Sequence, residues 1–175
     1  MAEAAFADMP DISASTVCAV GVKLAPGRQV EHVFSGRDGY KQVTDRVRTD
    51  DSKSETRAAQ RRITDTLTSF LTDEDGGGFT PGQVTGREAA YALHERGAMN
   101  CAEPKLLYII RNHLSEDVGN WAVIPFYMED GTTLMYSPPC RNCRRWVYKT
   151  FHSQTQSVAT NRGPGDWNDG AIFSD

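Results

Sequence analysis

Three thiols and one carboxylate stand close together in two short stretches, Asn100-Cys101-Ala102-Glu103-Pro104 and Ser137-Pro138-Pro139-Cys140-Arg141-Asn142-Cys143-Arg144. Their order is C-x-E followed by P-C-x-x-C. A catalytic Zn²⁺ takes three protein ligands and leaves one position open to water, and Cys101, Cys140 and Cys143 can supply those ligands as thiolates. Glu103 is then left over, two residues beyond the first ligand.

The elements that must carry these residues follow from their spacing. Cys140 and Cys143 are three apart, so on a helix they share one face, and Pro139 suits a helix start, where a missing N–H costs nothing. Cys101 is expected to open a second helix, with Pro104 in its first turn and Lys105 to Leu114 as a buried apolar run. Two helix N-termini would then face the metal, and their positive ends favour thiolate over thiol. The plainer alternatives are scattered structural cysteines, a zinc knuckle or a redox pair, all of which a lone C-x-x-C also fits. A knuckle, however, usually calls for a second ligand pair. Here the partner is a single cysteine followed by a glutamate and an apolar helix.

At these residues the chain resembles the cytidine deaminase-like superfamily, in which a glutamate beside the first ligand is not itself a ligand but moves protons between water and the departing amine. The resemblance covers residues 100–145. The form Cys101-Ala102-Glu103-Pro104-Lys105-Leu106 with Pro139-Cys140-Arg141-Asn142-Cys143-Arg144 is most similar to the bacterial toxin-type branch, and Cys-Ala-Glu also occurs in free-nucleoside deaminases. The resemblance implies an α/β protein with a three-layer α/β/α cytidine deaminase-like fold and a mixed sheet of about five strands. It also implies Zn²⁺ as cofactor, Glu103 as the catalytic acid and base, and hydrolytic loss of ammonia from a heteroaromatic ring. Substrate-binding roles carried over on the same basis are the backbone N–H of Ala102 for a ring carbonyl and the backbone carbonyl of Ser137 or Pro138 for the ring amine.

Composition limits the alternatives. A chain of 175 residues is expected to form one domain, and 39% hydrophobic content lets it bury a core without disulfide staples. No segment approaches the apolar length of a membrane span, and residues 1–10 lack the basic start and apolar core of a secretory leader, so the expectation is a cytoplasmic chain, or a secreted effector if it is a toxin domain. Cys18 lies in an apolar strand-like run and reads as a reduced core thiol. A net charge of −4 speaks against a polyanionic partner, because phosphate backbones are bound largely through lysine and arginine. Two local clusters run the other way: Arg46, Arg48, Lys53, Arg57, Arg61 and Arg62, interleaved with acids as on a solvated helix face, and Arg141, Arg144, Arg145 and Lys149, one of which can donate to thiolate sulfur.

In chain order, residues 1–15 read as an arm and 16–175 as a single deaminase-like domain with a helical insert at about 40–95. Thr16 to Leu24 and Gln29 to Ser35 form a hairpin, Gly36 to Tyr40 a loop, and Ser54 to Leu71 a helix with a stripe of Ala58, Ile63, Leu67, Phe70 and Leu71. Gly76-Gly77-Gly78 reads as a flexible linker and Thr85 to Arg96 as a short helix. Trp121 to Met128 is a strand despite Pro125, turning at Glu129-Asp130-Gly131 into Thr132 to Tyr136. Ser157 to Thr160 is a short strand, and Trp167, in the loop-like tail, either stacks on a base or packs on the body. His32, a strand histidine, is left out of the site.

Three functions are compatible with these residues. The first is a zinc-dependent deaminase of a cytosine-type nucleoside, nucleobase or related small molecule, and the second a toxin-type deaminase of bases in DNA, RNA or nucleotides. A catalytically silent zinc-binding interaction protein, the third, has no use for Glu103. The expected partners are accordingly a nucleoside-like small molecule or a nucleic acid, no membrane, and a second copy in a homo-oligomer as a further option.

Overall fold

The computed structural model describes residues 16–24, 26–27, 29–88, 96–129, 133–136 and 138–155. The expected N-terminal arm, the Asp130-Gly131 turn, Ser137, the Ser157 to Thr160 strand and Trp167 lie outside the described residues. The chain begins with the expected hairpin: Val17–Lys23 (β1) and Val30–Phe34 (β2) pair antiparallel, with Val20 opposite His32. The stretch after it is not a loop. Helix α1, Gly36–Val47, starts at the first of two glycines that suggested a turn. Gly39 faces the end of β2 so closely that a Cβ there would overlap the carbonyl of Phe34. Glycine at this position marks a close approach of helix to strand, and nothing local in the sequence distinguishes that use from a turn.

Helix α2, Lys53–Thr72, is opened by Ser52, whose hydroxyl accepts from the Glu55 N–H, and it buries Ala59, Ile63, Leu67 and Leu71 completely. These four are spaced by four, one face of a helix. Ala59 therefore takes the place expected for Ala58, and Phe70 is half-buried, edge-on to Trp146 with ring centroids 5.2 Å apart. Each of the three large aliphatic residues contributes about 1.5–3 kcal/mol by burial, which fastens this helix to the body.

The triple glycine is a tight turn rather than a flexible linker. Gly77 and Gly78 take φ of 105° and 60°, values open to glycine at little cost. The Gly78 N–H donates to Asp73 O at 2.7 Å, and Phe79, 2% exposed, anchors the far side in the core. Helix α3, Pro81–Thr85, follows with a reciprocal Thr80–Gln83 capping box and ends at Gly86. It thus finishes where a helix over Thr85 to Arg96 was expected to begin; residues 89–95 of that stretch are outside the described set.

After a 3₁₀ turn at Ala98–Asn100, helix α4, Ala102–Tyr108, runs on into a π turn at Ile109–His113, in which the Leu114 N–H donates to Ile109 O at 2.9 Å. Every residue of α4 is buried. Strand β3, Trp121–Glu129, turns into β4, Thr133–Tyr136, and the chain continues through α5, Arg141–Arg144, and α6, Val147–Thr150.

The sheet has four strands in the order β2-β1-β3-β4, every pair antiparallel. That differs from a mixed sheet of about five strands: among the described residues no parallel pair and no fifth strand occurs. Pro125 is tolerated because β4 pairs only with Phe126–Glu129, so the proline lies in the half of β3 whose described neighbour is β1 alone. On one face Val17, Ala19, Val33, Val123 and Tyr127 join Leu106, Leu107, Ile109 and Ile110 in the main core, so α4 packs across β1, β2 and β3 with α1 and α2 beside it. No helix among the described residues is long and apolar enough to cross a membrane.

Candidate metal centre

The fold brings together the two cysteine stretches, which lie before β3 and after β4 in the chain. Cys101 is the N-cap of α4 and Cys140 the N-cap of α5; both have extended backbone, and neither side chain caps its own helix. Cys143 is the third residue of α5. The three Sγ atoms lie within 4.8 Å of one another, with Cys101 and Cys140 at 3.4 Å. Tetrahedral zinc with Zn–S of about 2.3 Å needs sulfurs roughly 3.8 Å apart, so the donor set fits an ion of that kind. None of the four cysteines is in a disulfide. Cys140 and Cys143 are buried and Cys101 is half-buried, and among the described residues no further cysteine or histidine joins the cluster. Among the described residues the arrangement is therefore a three-thiol site without a fourth protein ligand.

Glu103, 3% exposed, accepts from the Cys143 thiol at 3.3 Å. Burial, and next the charge of Cys140, push its carboxyl up to about 7. The thiol of Cys143 is raised chiefly by burial, and that of Cys101 first by its contact with Cys140. Crowding and burial thus favour the protonated forms of Glu103, Cys101 and Cys143; a bound divalent ion would reverse this by drawing the thiols to thiolates, which couples metal binding to proton release.

Ala102, fully buried, is the first residue of α4, so its N–H belongs to the turn that has no intrahelical acceptor. Pro138 is half-buried and leads directly into Pro139 and Cys140. Of the basic residues around the second stretch, Arg144 Nε donates to Pro139 O at 2.8 Å and pins the segment that delivers Cys140. Arg145 lies over the Phe79 ring at 4.1 Å, and Lys149 donates to Glu74 O at 2.8 Å. The first basic cluster is partly absorbed in surface ion pairs, Arg46 with Glu31, Arg48 with Asp45 and Asp51, and Arg62 with Glu55. Cys18 is a buried core thiol raised by burial to about 12. His32 sits edge-on to Phe34 and is not part of the cluster.

Two features escape a reading of the sequence. Lys105 is 1% exposed, and its Nζ donates to the carbonyls of Met99, Asn100 and Cys101 at 3.1, 2.9 and 2.9 Å. A helical side chain leans toward its own N-terminus, so a lysine four residues after the N-cap cysteine can reach back over the loop that presents it. Its charge inside an otherwise apolar run was the available signal. Burial lowers the ammonium to about 8. The second feature is Tyr148 on α6, whose hydroxyl is buried without a partner among the described residues and lies within electrostatic reach of Glu103 and Cys143. The amide of Asn142, between the two α5 cysteines, is also buried with both polar atoms unpartnered. No protein-family model, curated protein or solved structure matches the chain.

Proposed function

We propose that the protein is a zinc-dependent hydrolytic deaminase that removes the exocyclic amine of a cytosine-type nucleoside, nucleobase or related small heteroaromatic compound. The observation that carries this reading is the buried Glu103 carboxyl group in contact with a three-thiol cluster to which no further cysteine or histidine among the described residues is added. A closed structural zinc site takes a fourth protein ligand and needs no carboxylate beside it. The resemblance to the cytidine deaminase-like superfamily agrees with this, and with it goes a three-layer arrangement of the domain.

Cys101, Cys140 and Cys143 would hold the zinc, which when bound supplies a water acidified to about 7. Glu103 Oε2 would take one proton of that water and deliver it to the ring nitrogen, where it stays, and would then carry the second proton to the departing nitrogen. The carbon–nitrogen bond would break as the oxygen becomes the ring carbonyl, and ammonia would leave carrying that second proton. The Ala102 N–H meets a ring carbonyl, and the carbonyl of Pro138 or Ser137 accepts from the amine being lost. Burial of Glu103 keeps bulk water away from the proton it carries.

The test is ammonia release by the zinc-loaded protein, with Glu103→Ala as blank, against cytidine, deoxycytidine, cytosine, adenosine, guanine, and single- and double-stranded DNA and RNA. Turnover that vanishes in Glu103→Ala, by at least about 10²-fold for a lost general acid and base, while zinc content is kept, supports the reading. Wild-type rates in that variant sink it. Turnover of polymer alone moves the protein to the toxin-type alternative, which the similarity of residues 100–106 and 139–144 to that branch favours.

A further inference from the structure

A second cavity adjoins the loop that carries the first cysteine. It encloses about 540 Å³, within the size range of small-molecule sites, and Met99 and Asn100, the two residues before Cys101, form part of its wall. The opposite wall is the start of α1, where Gly36 leaves the Asn100 side chain 4.0 Å from the position a Cβ would take. Three cationic residues, Arg37, Arg96 and Lys105, line the cavity, and no acidic residue among the described residues does. This is unusual on a chain of net charge −4; another cavity among the described residues is lined by Asp65, Asp73 and Asp75 with Arg111.

The donors of this cavity are available. Arg37 and Arg96 are exposed, and among the described residues neither guanidinium nor the Asn100 amide has a hydrogen bond or ion pair. Lys105 Nζ is committed to three carbonyls, so it contributes positive potential rather than a donor. Helix α1, twelve residues long, opens into the same space, and Ser35 does not cap it because its hydroxyl accepts instead from the Val17 N–H at 2.9 Å.

From this juxtaposition of two unpartnered arginines, a free amide and an uncapped helix start beside the cysteine loop, we infer that the cavity binds the phosphate group of the substrate. Guanidinium groups form paired, charge-assisted bonds with phosphate oxygens. The inference deepens the proposed deaminase reading, on which it rests for the word substrate: the ring would carry a phosphate, as a free nucleotide or as part of a nucleic-acid strand.

The experiment begins with inorganic phosphate, titrated into the zinc-loaded Glu103→Ala protein while backbone amides are followed by NMR. Shifts centred on Gly36, Arg37 and Asn100 are expected. Affinity should fall at least about tenfold in an Arg37→Ala/Arg96→Ala protein, the loss of one charge-assisted bond or more, with zinc content and thermal midpoint unchanged. Equal affinity in that variant, which phosphate resting on the metal would also produce, overturns the assignment, as do shifts confined to other residues. Cytidine, cytidine 5′-monophosphate and a short single-stranded oligonucleotide then separate the sources. Preference for the monophosphate over cytidine, lost in the double variant, assigns a nucleotide. Tighter oligonucleotide binding, with log K falling by about 0.7 per contacted phosphate against log salt and lost in the same variant, assigns a strand. If neither ligand depends on the two arginines, the cavity is not a substrate phosphate site. Because binding is read in a protein without Glu103, failure of deamination leaves this measurement intact, and failure of binding leaves deamination open.

Discussion

Replacing Lys105 by methionine keeps the side chain's length and removes its charge. In the native protein one ammonium donates to three consecutive carbonyls, Met99, Asn100 and Cys101, at 2.9–3.1 Å, and so fixes the loop from which the Cys101 side chain projects. A hydrogen bond from a charged donor is worth about 1.5–3 kcal/mol. The three share one donor, Met99 and Asn100 are half-buried so that their carbonyls can turn to water, and methionine is spared the desolvation of a buried cation. The net loss expected is therefore about 2–4 kcal/mol rather than three full bonds, or roughly 5–15 °C in thermal midpoint for a domain of this size. The effect on metal is separable. Three thiolates around Zn²⁺ leave one net negative charge, which the ammonium offsets, and loss of an outer partner of this kind costs about 10–100-fold in affinity. The assay is chelator competition for zinc beside urea unfolding of metal-free wild type and Lys105→Met. Unchanged zinc affinity together with an unchanged unfolding midpoint would refute the role given to this lysine.

Cys140→Ser should abolish stoichiometric zinc and lower the midpoint of the zinc-loaded protein toward that of the apo form, read by elemental analysis and a thermal scan with and without metal; full zinc occupancy would remove Cys140 from the ligand set. Gly39→Ala should destabilise by about 3 kcal/mol or more, because the new methyl meets the backbone carbonyl of Phe34 and not a yielding side chain; a urea midpoint within experimental error of wild type would mean that α1 does not pack on β2 as described. Glu116 accepts from Lys23 Nζ at 2.7 Å and from Trp121 Nε1 at 2.9 Å, and the lysine contact foremost holds its carboxyl below the ordinary range. A depressed folded value means the stabilisation is complete above the unfolded pKa of about 4.3 and is lost as pH falls through the folded one. The stability gap between wild type and Glu116→Gln should therefore close in acid; a gap independent of pH in chemical denaturation would contradict this.

The hairpin of β1 and β2, the long helix α2 and the apolar α4 were legible because each rests on local pattern: alternation in the strands, a spacing of four between Ile63, Leu67 and Leu71, and the apolar run Leu106 to Ile110, although the buried run expected to reach Leu114 stops there, with residues 111–113 exposed. Glycine is where that reading failed. The glycine-containing stretches Gly36 to Tyr40 and Gly76-Gly77-Gly78 read locally as a loop and a flexible linker, yet Gly39 sits inside a helix pressed against a strand and Gly77-Gly78 close a tight turn anchored by Phe79. Glycine is used for positive φ, for close approach and for flexibility alike, and only the surroundings decide among them.

For the candidate site, the sequence by itself determined the donor set, because the chemistry of a three-thiol centre with a carboxylate is carried by residue types and their short spacings within each stretch. It also pointed to helix starts at Cys101 and Cys140, since prolines at 104 and 139 suit the beginning of a helix. What only the tertiary structure decided is everything that depends on distance across the chain. Cys101 and Cys140 are 39 residues apart and meet at 3.4 Å only because the folded chain brings the starts of α4 and α5 together. Lys105 becomes a clamp, and Arg37 and Arg96 come to share a cavity, through contacts between elements that no local pattern records. Local rules act over one or two turns of chain, whereas charge, burial and metal geometry act through space.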